Sequence, residues 1–393
     1  MSALESTGTP PLRYRVCLVS FSGYPDQGMT FFYETARTLA RLGHEVSAFA
    51  VGRMGEPTDS IEDGVQVHRM TQPLTVNWAS PTRWVRKFRF LLEAGRFVRK
   101  RRFDIVHVYC TIGSGVLPLI GRTHTRWVLE HQTGAVSQRF ESLRWLENRL
   151  RAWQGRTFQA NFTVTEALGR RLFGARPFFV VPAGGNLDHF RPGLPRTFRQ
   201  DLGIGDHHVV YVHAGVLEAL RATDIPLRAF AQALESNDRL WLLMPGKGSQ
   251  LDELRQLARS YGIERRVWLP GYVPYAEMPG VFAAADAGLS YLPPAGYYEG
   301  QPPMKVMEYL GAGLPVIASD VSSHRMMIRH EFNGLLAAPG LNGYAAALLR
   351  FASDDMLRAR LAAAAAPSVE HLTWERIAVE RILPVYAGLA AHP

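Results

Sequence analysis

Cysteine is scarce in this sequence of 393 residues; Cys17 and Cys110 are the two it contains. Both sit in strand-like runs, so they read as buried thiols of a reducing compartment, and no disulfide framework is available. Long apolar runs are missing too, and none reaches the roughly 18 residues that a membrane span needs. The first residues carry no basic-then-apolar leader pattern, so a cytoplasmic protein is the expectation. Several familiar chemistries also lack their residues. No G-x-G-x-x-G or G-x-x-x-x-G-K-[ST] occurs, which argues against a nicotinamide Rossmann enzyme and a P-loop nucleotidase. Without H-E-x-x-H or a Cys/His cluster there is no zinc signature, and without G-x-S-x-G no nucleophile elbow. No D-x-D pair is present to hold a divalent ion between two carboxylates. Any anionic group must then be met by Arg, Lys and helix ends, and no metal is expected.

What is present is an ordinary globular composition, 47% hydrophobic and 20% charged, in a chain long enough for two cores. The charge is uneven. Residues 1–195 hold 26 Lys and Arg against 15 Asp and Glu, whereas the remainder hold 18 against 20. An anionic partner for the first half follows, either a membrane surface or nucleic acid. No recognition motif accompanies the charge, which disfavours nucleic acid.

Short buried strands alternate with helical stretches. Residues 14–20, 45–51, 104–109, 126–130, 160–165 and 178–181 read as strands, with a helix at about 29–42. The pattern then restarts with strands at 209–213, 240–244, 266–269, 287–291, 315–318 and 334–337. Alternation of this kind predicts parallel sheets covered by helices. A Gly- and Pro-containing stretch, Pro182 to Gly193, separates the halves. The expected organisation is one domain at 1–190, a second at 191–372, and a closing helix at 373–393 that packs back on the first. Pro384 should kink that helix. Ligands of doubly wound sheets bind at the carboxyl ends of strands.

The most telling stretch is Pro302-Pro303-Met304-Lys305-Val306-Met307-Glu308-Tyr309-Leu310-Gly311-Ala312-Gly313, followed by the strand-like Pro315 to Ala318. Pro before the helical run and Gly after it mark a helix start and stop. The N–H groups and partial positive charge at such a start suit phosphate. A carboxylate one turn further in, Glu308, could hold vicinal sugar hydroxyls. Together these suggest a nucleotide-sugar site.

With these segments in order, the chain resembles the retaining glycosyltransferases of family 4, which have the GT-B fold: two Rossmann-like doubly wound domains facing across a cleft. The resemblance rests on 303–318, 182–192, Val267 to Pro274, Ala283 to Ser290 and the pair Trp374-Glu375. It implies a nucleoside-diphosphate sugar donor on the second domain, an acceptor on the first, retention of anomeric configuration, and no cofactor. Glu308 matches the carboxylate that grips the donor ribose. Met304, Lys305 and Val306 match the helix start beside the diphosphate, Arg221 matches the lysine that neutralises the diphosphate, and Gly215 is a further donor-binding candidate. Val216 stands where the family usually has an arginine; Lys247, in Gly246-Lys247-Gly248, is a candidate substitute. Gly300 stands where the family has a first glutamate, with Glu299 one residue early. His131 matches a histidine near the reacting sugar, and Gly23 and Gly28 match a loop that closes over the diphosphate. A nucleotide-sugar epimerase and a catalytically weakened nucleotide-sugar-binding protein are the competing readings.

Two basic stretches stand apart. In 83–102, Trp84, Phe88, Leu91, Leu92 and Gly95 share a helical face opposite a basic one; about 138–156, Phe140, Leu143, Leu150 and Trp153 do the same among Arg139, Arg144, Arg149, Arg151 and Arg156. Either the apolar stripes face the core or the helices lie on an anionic membrane. The expected acceptor is a glycan or a lipid-linked acceptor, and in the membrane reading the protein is cytoplasmic and peripheral on the inner face of the plasma membrane.

Overall fold

A computed structural model describes residues 13–24, 30–52, 55–70, 82–121, 124–135 and 140–391. The chain divides into two compact units. The first runs to Val164 and includes Gly169–Val181 and everything from Ile377; the second is Thr165–Leu168 with Pro182–Arg376.

In the first unit the strands are β1 Arg15–Val19, β2 Glu45–Ala50, β3 Asp59–Glu62, β4 Val65–Arg69, β5 Ile105–Tyr109, β6 Arg126–His131, β7 Ala160–Thr163 and β8 Phe179–Val180. They form one sheet in the order β3-β4-β2-β1-β5-β6-β7-β8. All neighbours are parallel except the edge pair β3 and β4. Central β1 shows why the sheet forms. Val16 and Leu18 enter one core, Cys17 and Val19 the opposite one, and all four are buried. A strand apolar at every position belongs between two helical layers. The β3–β4 hairpin escaped the sequence reading, although Asp63-Gly64 is a strong turn signal. Both residues have positive φ, 49° and 78°, and Glu62 pairs with Val65, as a two-residue type I′ turn requires.

The closing segment is α-helical over Trp374–Ile377, widens to a π turn over Ala378–Ile382, and resumes over Leu383–Ala391. The widening ends just before Pro384, which cannot donate to the preceding turn. Ile377, Ala378, Ile382 and Tyr386 all join the first unit's core. Tyr386 also hydrogen-bonds His107 Nδ1 at 2.7 Å, and His107 Nε2 lies 2.9 Å from the buried Glu130 carboxylate.

The second unit repeats the scheme with β9 Val209–Val212, β10 Gly215–Val216, β11 Leu240–Leu243, β12 Gly246–Lys247, β13 Val267–Trp268, β14 Ala287–Ser290, β15 Val316–Ser319 and β16 Gly334–Ala337. Six form a fully parallel sheet, β13-β11-β9-β14-β15-β16, while β10 and β12 pair as a separate ribbon. Here Val209 and Tyr211 of β9 enter one core, Val210 and Val212 the other. No described helix is long and apolar enough to cross a membrane.

Candidate functional site

The site lies within the second unit, where β9, β11 and β14 give way to loops. β9 runs into His213, which is buried, and then to Gly215, whose φ of 121° few side chains tolerate. Gly215 N–H donates to Pro245 O, and the β10–β12 ribbon follows. Gly246 and Gly248 are dictated by crowding. A Cβ on either would stand 2.0 Å from a backbone oxygen, of Gly215 and Leu217 respectively. Glu218 then staples the two loops by accepting from Ser249 N–H at 3.0 Å and Ser249 Oγ at 2.6 Å. Arg221 ends the short 3₁₀ turn Ala219–Arg221 and is exposed, and Tyr298 donates its hydroxyl hydrogen to Leu220 O at 2.9 Å.

Against these loops stands the helix Met304–Gly311, begun by Pro303 in extended conformation with no side-chain cap. Val306, Tyr309 and Leu310 anchor it in the core. Tyr309 fixes its register. Its hydroxyl accepts from Ala214 N–H at 2.6 Å, and its ring occupies the space over Gly288, where a Cβ would meet it at 2.2 Å. The other side presents Lys305 and Glu308, both half-buried. Lys305 Nζ approaches His213 Nε2 at 3.4 Å. Burial and the nearby Arg221 charge bring the Lys305 ammonium down to about 7. Burial lifts Glu308 to about 7, opposed by Lys305. His213 is held well below its ordinary range by burial, then by the charges of Lys305 and Arg221, so it is a neutral acceptor. Three cationic or proton-accepting groups and one carboxylate thus crowd a helix start without a neutralising ion pair to Lys305 or Glu308 among the described residues. Such a set can hold an anion beside a hydroxyl-bearing group.

A buried network braces the floor. His324 Nε2 lies 2.8 Å from Ser290 Oγ and its Nδ1 2.7 Å from Ser319 O. Burial lowers this histidine to about 4, so it stays neutral. His213 and His324 were missed in the sequence. For His213 the one available signal was a histidine ending an otherwise apolar strand.

The remaining expected site residues are placed as follows. Lys247 pairs in register with Val216, and its ammonium lies 5.0 Å from the Tyr272 ring centre. Glu299 is exposed; Gly300 is buried, has φ 71°, and its carbonyl accepts from Thr165 Oγ1 at 2.6 Å. A Cβ at 300 would stand 3.0–3.2 Å from Ala167 Cβ, Leu168 N and Thr165 Oγ1, at a positive φ that side chains rarely adopt, so any side chain there is strained. Two expectations need correction. Val306 N–H already donates to Pro303 O at 3.0 Å, so the open front of the helix is Met304 and Lys305. His131, in the first unit, is 0% exposed, packs edge-on to Phe173, and is lowered to about 3 by burial, then by the Arg151 charge. It is a neutral core side chain with no surface to offer a sugar. Gly23 lies in the half-buried loop after β1, and Gly28 lies outside the described residues. Among the described residues no group of three or more His, Cys, Asp or Glu could hold a metal ion.

Comparison with known proteins now bears on this arrangement. Residues 196–367, which contain every element of the site, match the family Glycosyl transferases group 1, and residues 29–189 match Glycosyltransferase Family 4. The chain belongs to this glycosyltransferase family. Among relatives of the family, D-inositol 3-phosphate glycosyltransferase of Rhodococcus erythropolis is 31% identical over 246 residues, 59% of this chain and 54% of its own length. The chain therefore spans about half the length of that relative. The protein of the same name from Actinosynnema mirum is 27% identical over 383 residues, 91% and 90% of the two chains. Sucrose-phosphate synthase from Thermosynechococcus elongatus superposes with a TM-score of 0.80 at 20% identity, covering 97% of this chain and all of that one. The Anabaena protein HepE, in complex with UDP and glucose, gives 0.75 at 16%, covering 96% and all of the two chains. These likenesses establish the fold as GT-B.

Proposed function

We propose that this protein transfers a sugar from a nucleoside-diphosphate sugar to a hydroxyl of a glycan or lipid-linked acceptor, with retention of anomeric configuration. The observation that carries the reading is the pair Lys305 and Glu308, one turn apart at an uncapped helix start, both displaced toward 7 and both without an ion-pair partner among the described residues. A diphosphate beside Lys305, Arg221 and the Met304 end would neutralise the excess positive charge, and the ribose hydroxyls would donate to Glu308. Solved relatives holding UDP, among them HepE, support this class of donor.

In the proposed reaction the bond between the anomeric carbon and the leaving phosphate oxygen breaks as the acceptor oxygen approaches on the same face. The acceptor proton passes to the departing phosphate. Positive groups already in place stabilise the charge that develops there, the contribution that usually dominates such catalysis. No cofactor or metal enters this scheme. Val216 leaves one cationic position vacant, and Lys247, its in-register neighbour, is the residue able to supply that charge. The acceptor is reached at an anionic membrane surface, on the cytoplasmic side.

The test is transfer and donor binding in Glu308→Ala and Arg221→Ala. Charge-assisted hydrogen bonds are worth about 1.5–3 kcal/mol, so each variant should bind donor roughly 10- to 100-fold more weakly. Full transfer activity in both would overturn the proposal.

A further inference from the structure

The helix Glu141–Gln154 in the first unit is turned inside out. Glu147, Asn148, Arg151 and Gln154 face the protein. Asn148 Oδ1 accepts from Ala135 N–H at 2.8 Å, Gln154 Oε1 accepts from Gly113 N–H, and the Glu147–Arg151 ion pair, 2.7 Å, is mostly buried. Its apolar residues face solvent: Leu143, Leu146, Leu150 and Trp153 fall on one side at helical spacing, and Trp145 adjoins them. Trp145 and Trp153 are 59% and 61% exposed. A surface helix normally does the reverse, and a contiguous exposed apolar stripe marks a surface that something else covers.

A second basic helix of the same unit also exposes apolar residues. The helix Thr82–Lys100 buries its second half through Phe90, Leu91, Ala94, Phe97 and Val98, but leaves Trp84, Val85 and Phe88 exposed. Both helices pack on the loop after β5, since Leu91 and Gln154 each touch Gly113 or its neighbour Gly115. Basic groups are interleaved with the aromatics. The Arg149 guanidinium lies 4.8 Å from the Trp145 ring and Lys87 Nζ 5.4 Å from Trp84. Arg149 and Arg156 are exposed beside the stripe.

We infer that this face docks on an anionic phospholipid bilayer, with the Glu141–Gln154 helix lying in the plane of the interface. Leucine and tryptophan would enter the headgroup boundary while Arg and Lys meet lipid phosphates. The charge decides against a second copy of this chain, because a two-fold pairing would set the same arginines against one another. The inference rests on the proposed membrane-borne acceptor for its purpose, but involves none of the donor residues.

The experiment is flotation of the full chain with phosphatidylcholine vesicles, with and without phosphatidylglycerol. The expected result is binding only to the anionic vesicles, weakened by high salt. The double variant Leu146→Gln, Trp153→Gln alters exposed positions and should bind about tenfold or more weakly, while keeping its UDP affinity by calorimetry. Glu308→Ala should show the converse. Absence of flotation with anionic vesicles overturns the inference, as does unchanged flotation of the double variant. A concentration-dependent dimer that the double variant abolishes, without vesicle binding, also overturns it and assigns the face to self-association.

Discussion

Two helices of this protein, Met304–Gly311 and Glu141–Gln154, use amphipathicity in opposite senses. The first buries Val306, Tyr309 and Leu310 and leaves Lys305 and Glu308 half-open. The second buries Gln154 and Ala152 and leaves two tryptophans and three leucines in solvent. In the first, stability comes from the core, and charge is held half-open at the surface. In the second, hydrogen bonds and one ion pair hold the helix, and apolar area is left uncovered. A stripe of apolar residues thus tells that a helix has two sides, and its neighbours tell which side is inward.

That contrast can be broken by substitution. Leu310→Ala removes a core side chain and should destabilise the protein by about 2–5 kcal/mol in denaturant melts. Gln154→Leu leaves Gly113 N–H without its acceptor and should cost about 1–3 kcal/mol, although leucine is the better helix former. If Gln154→Leu were neutral, the inward polar face would not be what holds this helix. Leu150→Ser, by contrast, should change stability by no more than about 0.5 kcal/mol, because its side chain is already in water. A loss as large as that of Leu310→Ala would sink the inverted orientation.

The charge held on the Met304–Gly311 helix gives a pH test. Lys305 is lowered from 10.5 to about 7, so between those values the folded state binds fewer protons than the unfolded chain, and this group's share of stability rises with pH. Glu308 is raised from 4.5 to about 7, so in that interval the folded state binds more protons, and its share falls with pH. The pair therefore contributes least near pH 7. Glu308→Gln should remove the falling limb, seen as a melting temperature that no longer declines between pH 5 and 7 relative to the parent. Binding of UDP near pH 7 should take up protons, because a diphosphate restores the Lys305 charge. Titration calorimetry in buffers of different ionisation enthalpy measures that uptake, and release instead of uptake would contradict it.

Much of the fold was readable. Strands such as β1 and β9 are apolar at every central position, which only a doubly covered parallel sheet explains. The β3–β4 edge was less plain, because β3 has one apolar residue, Ile61, and the alternation of β4 spans only Val65 and Val67; Asp63-Gly64 marks the turn. At the site, Lys305 and Glu308 were legible since both lie on one helix start. His213 was not, because it reaches Lys305 from a strand 92 residues away. His131 is the opposite case: its place after a strand suggested a ligand contact, and the structure buries it against Phe173.

The sequence alone determined the alternation of strands and helices, the Pro-to-Gly punctuation of the Met304–Gly311 helix, and the excess of positive charge in the first half. Each is local, written in spacing and composition. Tertiary structure decided the rest: which side of Glu141–Gln154 meets the protein, which histidines stay neutral, and that Gly300 sits in a crowded turn of positive φ. Burial depends on neighbours distant in the chain, and burial is what sets both the direction of an amphipathic face and the charge of a titratable group.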